Sequence, residues 1–329
     1  MKLRKSEQMT FIQYDLNAIV SKDHDLRKVD SMIPFSEIVK DFEGITSDVG
    51  RDGYGLEIGM KCLYLQFRYD LSDREMEERM RHDIAFRWFC KFSISDITPD
   101  HSFFCRSRKA IGTKNIGLFF QAISNKAKDK KIIRGVFHFV DSSAIKAKES
   151  TWRERDKAKS VGEDIVNNSN IGNFSADQDA RFGNKGKGKF WFGYKRHQCV
   201  DGGSGLVEKV AITPANVSDA DGLKRICPRE GMVLADKAYS IKSAQNTLKA
   251  NLCHSGAIMK NNMRGKNRKK DKWLTRLRSP FENTFSKLFK KSRYRGIAKN
   301  QMQAFLEAIV FNIKRLLVLQ ATKYFENLF

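Results

Sequence analysis

The sequence predicts a mixed α/β domain preceded by a small all-α one, and three observations carry that expectation. Between Leu56 and Phe67, apolar residues recur at helical spacing (Leu56, Met60, Leu63, Phe67). From Phe137 onward the pattern changes to short continuous apolar runs, as expected for strands covered on both faces. Near the end, Met302, Phe305, Leu306, Ile309, Ile313 and Leu316 form an apolar stripe on one long helix. Strands followed by helices, after a purely helical stretch, point to an α/β domain behind an α domain.

Taken in order, residues 1–55 read as a polar N-terminal arm with one short helix near Pro34 to Phe42. Residues 56–128 read as a helical domain. Ser72-Asp73-Arg74-Glu75 has the spacing of a capping box, in which Ser and Glu satisfy two orphan amides. Thr98-Pro99 is expected to open a third helix, because proline is tolerated at the first helical position. Residues 129–322 form the α/β part. Val136-Phe137-His138-Phe139-Val140 is its first strand. Residues 146–189 are polar, rich in Lys, Gly and Asn, and read as a long insertion or mobile loop. Phe190–Val200 and Leu206–Thr213 read as a hairpin joined by Asp201-Gly202-Gly203-Ser204-Gly205. Met232–Ala235 is another buried strand, and a basic stretch from Arg264 to Lys272 precedes two final helices.

Composition narrows the function. The 329 residues hold 61 Lys+Arg against 38 Asp+Glu, a formal charge of +23. That charge is spread along the chain, which favours a nucleic-acid partner over an anionic membrane. The six cysteines form no CxxC pair and lie mostly in apolar runs such as Phe103-Phe104-Cys105. They are expected to be reduced core residues of a cytoplasmic protein, with no zinc site, and Cys253-His254 is expected to pack rather than ligate. No signal peptide and no transmembrane helix are expected.

Asp141 and Asp236 each follow a buried apolar run, where ligands bind in α/β sheets. Side by side they would repel, and a divalent cation with hard oxygen ligands resolves the conflict. Glu282 lies on a helix with Phe281, Phe285, Leu288 and Phe289, and Arg278 stands four residues before it on the same face. Each has a plainer reading. Asp141 would suit a turn or helix cap, and Ser279-Pro280-Phe281-Glu282 matches a capping box. Asp201 reads as a turn residue, Asp219 as a helix cap, and Asp177 and Asp179 as solvated charges in the insertion.

In combination, the motifs resemble the IS5 family of bacterial insertion-sequence transposases, within the wider IS4-like DDE group. Leu71-Ser72-Asp73-Arg74-Glu75-Met76-Glu77-Glu78 followed by Ile97-Thr98-Pro99-Asp100 is similar to that family's N-terminal domain. Phe139-Val140-Asp141-Ser142-Ser143 resembles its first acidic motif. Phe192-Gly193-Tyr194-Lys195 with His197, Gly205-Leu206-Val207, and Thr213-Pro214-Ala215-Asn216-Val217-Ser218-Asp219 resemble its central hairpin. Leu234-Ala235-Asp236-Lys237-Ala238-Tyr239 resembles the second acidic motif, and Arg278 through Glu282 to Phe285 with Arg293-Tyr294-Arg295-Gly296 resembles the third.

The resemblance implies an RNase H-like domain in which Asp141, Asp236 and Glu282 ligate Mg²⁺, with Mn²⁺ substituting. It implies metal-dependent hydrolysis at element ends and strand transfer into target DNA. Lys195, Lys237, Tyr239, Arg278, Lys287, Lys290, Arg293 and Arg295 are the implied DNA contacts. The implied partners are double-stranded DNA, at terminal inverted repeats and target, and a second copy of the chain, with no membrane and no small-molecule substrate. The rival expectations are a nuclease that cuts without joining, a decayed transposase that only binds DNA, and a basic structural protein. Two departures bear on the third motif. Phe289 stands where the family carries a Lys seven residues after the Glu, so Lys287 or Lys290 would contact the phosphate. The stretch from Glu282 to Arg293 is also short, and Ser218 stands where many relatives have His.

Overall fold

The computed structural model describes residues 15–42, 54–148, 158, 160, 162, 166–186, 188–286 and 290–322. The chain divides into two compact units, residues 1–37 with 46–110, and residues 38–45 with 111–329.

The first unit is helical. It contains α1 (Leu16–Ile19), α2 (Asp25–Met32) and α3 (Phe35–Ile38), then α4 (Gly55–Arg68), α5 (Asp73–His82), α6 (Ile84–Phe89) and the start of α7 (His101–Asp129). Of the expected polar arm, residues 15–42 are described: α3 stands where the short helix near Pro34 to Phe42 is expected, and α1 and α2 are additions to that reading. Leu26 and Val29 of α2 are fully buried, and Phe35 packs edge-on against Tyr64 and Phe89. The apolar residues there are too few per turn to mark a stripe, so the polar majority hid the helices. The capping box is present: Glu75 N–H donates to Ser72 Oγ, and Ser72 N–H donates to the Glu75 carboxylate. At α7 the helix opens at His101, with Asp100 accepting the Phe103 amide, rather than at Pro99.

Buried charges in this unit are satisfied internally. Lys61, 1% exposed, pairs with Asp30 at 2.6 Å and Glu57 at 3.2 Å. Arg108 makes a two-pronged contact to Asp73, at 2.7 and 2.6 Å. Such pairs are costly to break from one side, because the survivor is left uncompensated. Helix α7 is interrupted at Gly112 (φ 72°), a conformation that glycine adopts without a Cβ penalty.

The second unit is built on one sheet. Among the described residues its strands are β1 (Phe137–Lys146), β2 (Arg181–Asn184), β3 (Phe190–Asp201), β4 (Val207–Pro214), β5 (Met232–Ala235) and β6 (His254–Ala257). The order is β2-β3-β1-β5-β6, with β4 also on β3. Strands β1, β3 and β4 are antiparallel, whereas β5 and β6 run parallel to β1. Three antiparallel strands followed by two parallel ones make an RNase H-like sheet. The helices that follow are α8 (Ile171–Phe174), α9 (Asp219–Ile226), α10 (Lys242–Ala250), α11 (Arg268–Ser286) and α12 (Ile297–Ala321).

Helices α9 and α10 bury Leu223, Ile226, Ala244 and Leu248 against Val140, Cys199 and Val233. The stripe on α12 is buried as expected, at Met302, Leu306, Ile309, Ile313 and Leu316. Close approach fixes one glycine. Gly193 has φ 147°, and a Cβ there would lie 2.2 Å from the Ile145 carbonyl oxygen.

Two further expectations are corrected. The stretch 146–189 is no bare loop where it is described: β2 pairs with β3, and Ile171, Asp177 and Ala180 are buried. Asp177 accepts from the Tyr194 hydroxyl at 2.5 Å and from the Gly296 amide at 3.0 Å, while Asp179 accepts from the Ile297 amide. These aspartates pin the insertion to β3 and to the start of α12. Cys105 is exposed, unlike the other five cysteines.

Candidate active site

Asp141 lies within β1, not beyond its end, because the strand continues through half-buried Ser142 and Ser143 to Lys146. What ends at this point is the pairing with β5. Phe137, His138 and Phe139 pair with Met232, Val233 and Leu234, and the same register carried two places on sets Asp141 against Asp236. Asp236 closes β5 and caps the short 3₁₀ turn Lys237–Ser240, its carboxylate accepting from the Ala238 amide at 2.8 Å. Two parallel strands thus deliver two carboxylates to one edge of the core.

The electrostatics there are unresolved by protein groups alone. Burial raises the Asp141 pKa above the ordinary carboxylate value, and nearby Asp236 raises it further. The Ser142 amide and Arg278 pull the other way, but the guanidinium stands 3.9 Å from Asp141 Oδ2, beyond hydrogen-bond distance. A divalent cation would supply the missing charge, and carboxylate oxygens suit a hard ion.

Helix α11 covers this edge. Phe281 stacks on Phe139 with ring centroids 3.8 Å apart and planes within 15°. The helix runs unbroken from Arg268 through Ser279 and Pro280 to Ser286, so Ser279 is no N-cap and the capping-box reading of Glu282 fails. Residue 282 follows Phe281 and stands one turn after Arg278 on the same helical face. The Glu282 side chain, Lys287 and Phe289 lie outside the described residues.

The remaining expected contacts separate into buried and exposed groups. Lys195 is 9% exposed, ion-paired to Asp219 at 2.9 Å and donating to the Val217 carbonyl, so it braces the site instead of facing a ligand. Asp219 also accepts from Ser142 Oγ at 2.8 Å, and Ser218 rather than Asp219 caps α9. Tyr239 is 1% exposed. Burial, and then Asp219, Asp141 and Asp236, push its phenol well above the ordinary value, so it stays protonated inside the core. Both are corrections: an interior side chain cannot contact DNA. Lys237, Lys290 and Arg295 are exposed, and Arg278 and Arg293 are partly so. The main chain of Lys146 bonds to Lys290 and Ser292, which draws the segment after α11 to the end of β1.

His197, fully buried, bonds through Nε2 to Thr213 Oγ1 at 2.9 Å, and burial lowers its pKa to about 4. It is neutral and structural, seated over Gly222, where a Cβ would lie 2.1 Å from the ring. Lys185 is a group that the sequence reading passed over. It acts electrostatically on Asp141 from the insertion, and no local signal marks it.

Residues 135–313 match the model of the Transposase DDE domain family, and residues 14–110 match the Transposase domain (DUF772). The chain belongs to the transposase DDE-domain family. It is an insertion-sequence transposase, a metal-dependent enzyme that binds, cuts and rejoins DNA. No solved structure matches the chain. Among the described residues, no helix of this transposase is long and apolar enough to cross a membrane.

Proposed function

We propose that Asp141, Asp236 and Glu282 are the metal-ligating triad of this transposase, with Mg²⁺ as the ion and Mn²⁺ able to replace it. The observation that carries the reading is the meeting of Asp141 and Asp236 on adjacent parallel strands under the Phe139–Phe281 stack. When bound, the ion supplies an acidified water and charge neutralisation at the scissile phosphate.

The chain's own groups do the rest. Asp236 is held by the Ala238 amide, and Asp141 by its strand and the Ser142 amide, so neither carboxylate swings when DNA arrives. Arg278, too far from Asp141 for a direct hydrogen bond, is positioned to turn to a non-bridging phosphate oxygen. Lys237, Lys290, Arg293 and Arg295 hold the backbone on either side. Tyr239 is buried and protonated, which makes it unsuited to nucleophilic attack. The two steps therefore share one site without a covalent protein–DNA intermediate: hydrolysis releases a 3′-hydroxyl, and that hydroxyl attacks a target phosphodiester, displacing the target strand's own 3′-hydroxyl. The helical unit reads the terminal repeats, two copies of the chain synapse the ends, and the reaction takes place in a prokaryotic cytoplasm. Assignment to the IS5 family rests on the order of the motifs.

The test is incubation of the full chain with Mg²⁺ and a plasmid carrying the gene's own flanking DNA, beside Asp236→Asn. The expected result is nicking at inverted-repeat ends with 3′-hydroxyl products, absent in the variant although it still retards the DNA. A variant that cuts at the wild-type rate overturns the assignment.

A further inference from the structure

Three residues before Asp141, on the opposite face of β1, stands His138, which is 1% exposed. Its Nδ1 lies 3.1 Å from Glu208 Oε2, yet both atoms are buried and neither is aligned for a hydrogen bond. A 3.1 Å ionic contact without hydrogen-bond alignment leaves both buried atoms under-coordinated, and a cation bound to both would satisfy them. The third corner is the Sγ of Cys199, fully buried, and the three ligand atoms all lie within 4.8 Å of one another.

The surroundings prepare each group for ligation. His138 Nε2 is 3.2 Å from the Gly135 carbonyl, which can only accept, so Nε2 is the donor there and Nδ1 is the ring atom that faces Glu208 and would serve as the ligand. Lys128 occupies Glu208 Oε1 at 2.5 Å and leaves Oε2 for a second partner. The β3–β4 register shifts here. Cys199 pairs with Lys209 and Val200 with Val207, so Glu208 falls between them, as in a bulge that re-aims a side chain. His138 and Glu208 also line a cleft of about 840 Å³, which gives an ion a route in and a water room to bind.

We infer that His138, Cys199 and Glu208 form a second metal site, chemically distinct from the carboxylate pair and suited to Zn²⁺. A thiolate and an imidazole select a borderline-soft ion over Mg²⁺, and three protein ligands plus one water complete a tetrahedron. The thiolate and the carboxylate together balance the ion's two positive charges, and the Lys128 ammonium on Glu208 Oε1 is left as one positive charge toward solvent, 44% exposed. Metal–ligand distances of about 2.0–2.3 Å put tetrahedral ligand atoms roughly 3.5 Å apart, so the 3.1 Å contact of His138 with Glu208 would open slightly and the longer separations in the set would close, a side-chain adjustment. The ion would tie β1, β3 and β4 together behind the catalytic edge. Sequence spacing cannot reveal this set, because each ligand comes from a different strand.

The full chain is dialysed with Zn²⁺ and then against a weak chelator, and metal content is measured for wild type, Cys199→Val, Glu208→Gln and Asp236→Asn. Cobalt(II) loading adds a thiolate charge-transfer band as a direct reporter of sulfur ligation. The expected result is one retained Zn²⁺ per chain in wild type and Asp236→Asn, lost in Cys199→Val and Glu208→Gln with unchanged circular dichroism. The cobalt band should vanish with Cys199. Should Cys199→Val not fold, near-isosteric Glu208→Gln carries the test on metal content alone. No retained Zn²⁺ in wild type, or retention and a cobalt band that survive the variants, would overturn the site and leave a proton shared between His138 and Glu208.

Discussion

The RNase H-like sheet carries two ionic arrangements that differ in kind. Arg196 of β3, 1% exposed, bonds to Glu307 of α12, which Gln303 also contacts at 2.7 Å. Opposite charges there meet, and the pair clamps the last helix to the sheet. Asp141 and Asp236 are like charges brought together by β1 and β5, with a cation only at 3.9 Å. The first arrangement balances its charges within the protein, although Arg196 Nε and Nη1 keep no hydrogen-bond partner there, whereas the second leaves two like charges side by side. Like charges left unbalanced at the sheet edge are where the proposed cation would bind.

That contrast can be broken in graded ways. The largest effect is expected from Asp141→Asn, which should reduce DNA cleavage below detection while raising the metal-free melting temperature. The sign follows from linkage. The folded pKa of Asp141 is raised, so its stabilisation is complete at low pH and is lost as pH rises from the ordinary carboxylate value through the folded one. The substitution removes that loss at neutral pH. A fall in the metal-free melting temperature would contradict the account.

Glu307→Gln should do the reverse. It strands the Arg196 charge in the core at a cost of about 3–5 kcal/mol, read by denaturant unfolding, while per-molecule cleavage by the folded fraction is retained. Gly193→Ala should cost roughly 1–3 kcal/mol, because a Cβ forces β3 away from Ile145 and the residue must keep φ 147°. The smallest effect separates the two arrangements by pH. His197 has its pKa depressed from 6.5 to about 4, so its stabilisation is present above pH 6.5 and is lost as pH falls towards 4. A thermal-melt series in which His197→Gln flattens that acid limb would bear this out, and an unchanged limb would not.

The sequence announced the strands that bear Asp141 and Asp236, because both are apolar runs buried on two faces. It did not announce that β1 continues to Lys146, since Ser142 bonds through its hydroxyl to Asp219 and Ser143 pairs with Arg196 of β3, partners that no local pattern records. Lys195 and Tyr239 illustrate the same limit. Their motifs marked them as near the site, but only the fold shows that they face inward, onto Asp219 and among the carboxylates. The course of α11 was hidden by Pro280, which reads as a helix start although the helix begins twelve residues earlier at Arg268. Tertiary packing by Phe281 on Phe139 outweighs the amide that the proline removes.

The central claim is that Asp141 and Asp236 hold the catalytic cation, and electron paramagnetic resonance of Mn²⁺ titrated into the full chain tests it most directly. Wild type should bind Mn²⁺ and quench the free-ion signal, and Asp141→Asn and Asp236→Asn should each abolish the tight component while Cys199→Val leaves it intact. Equal tight binding by the two aspartate variants would contradict the account.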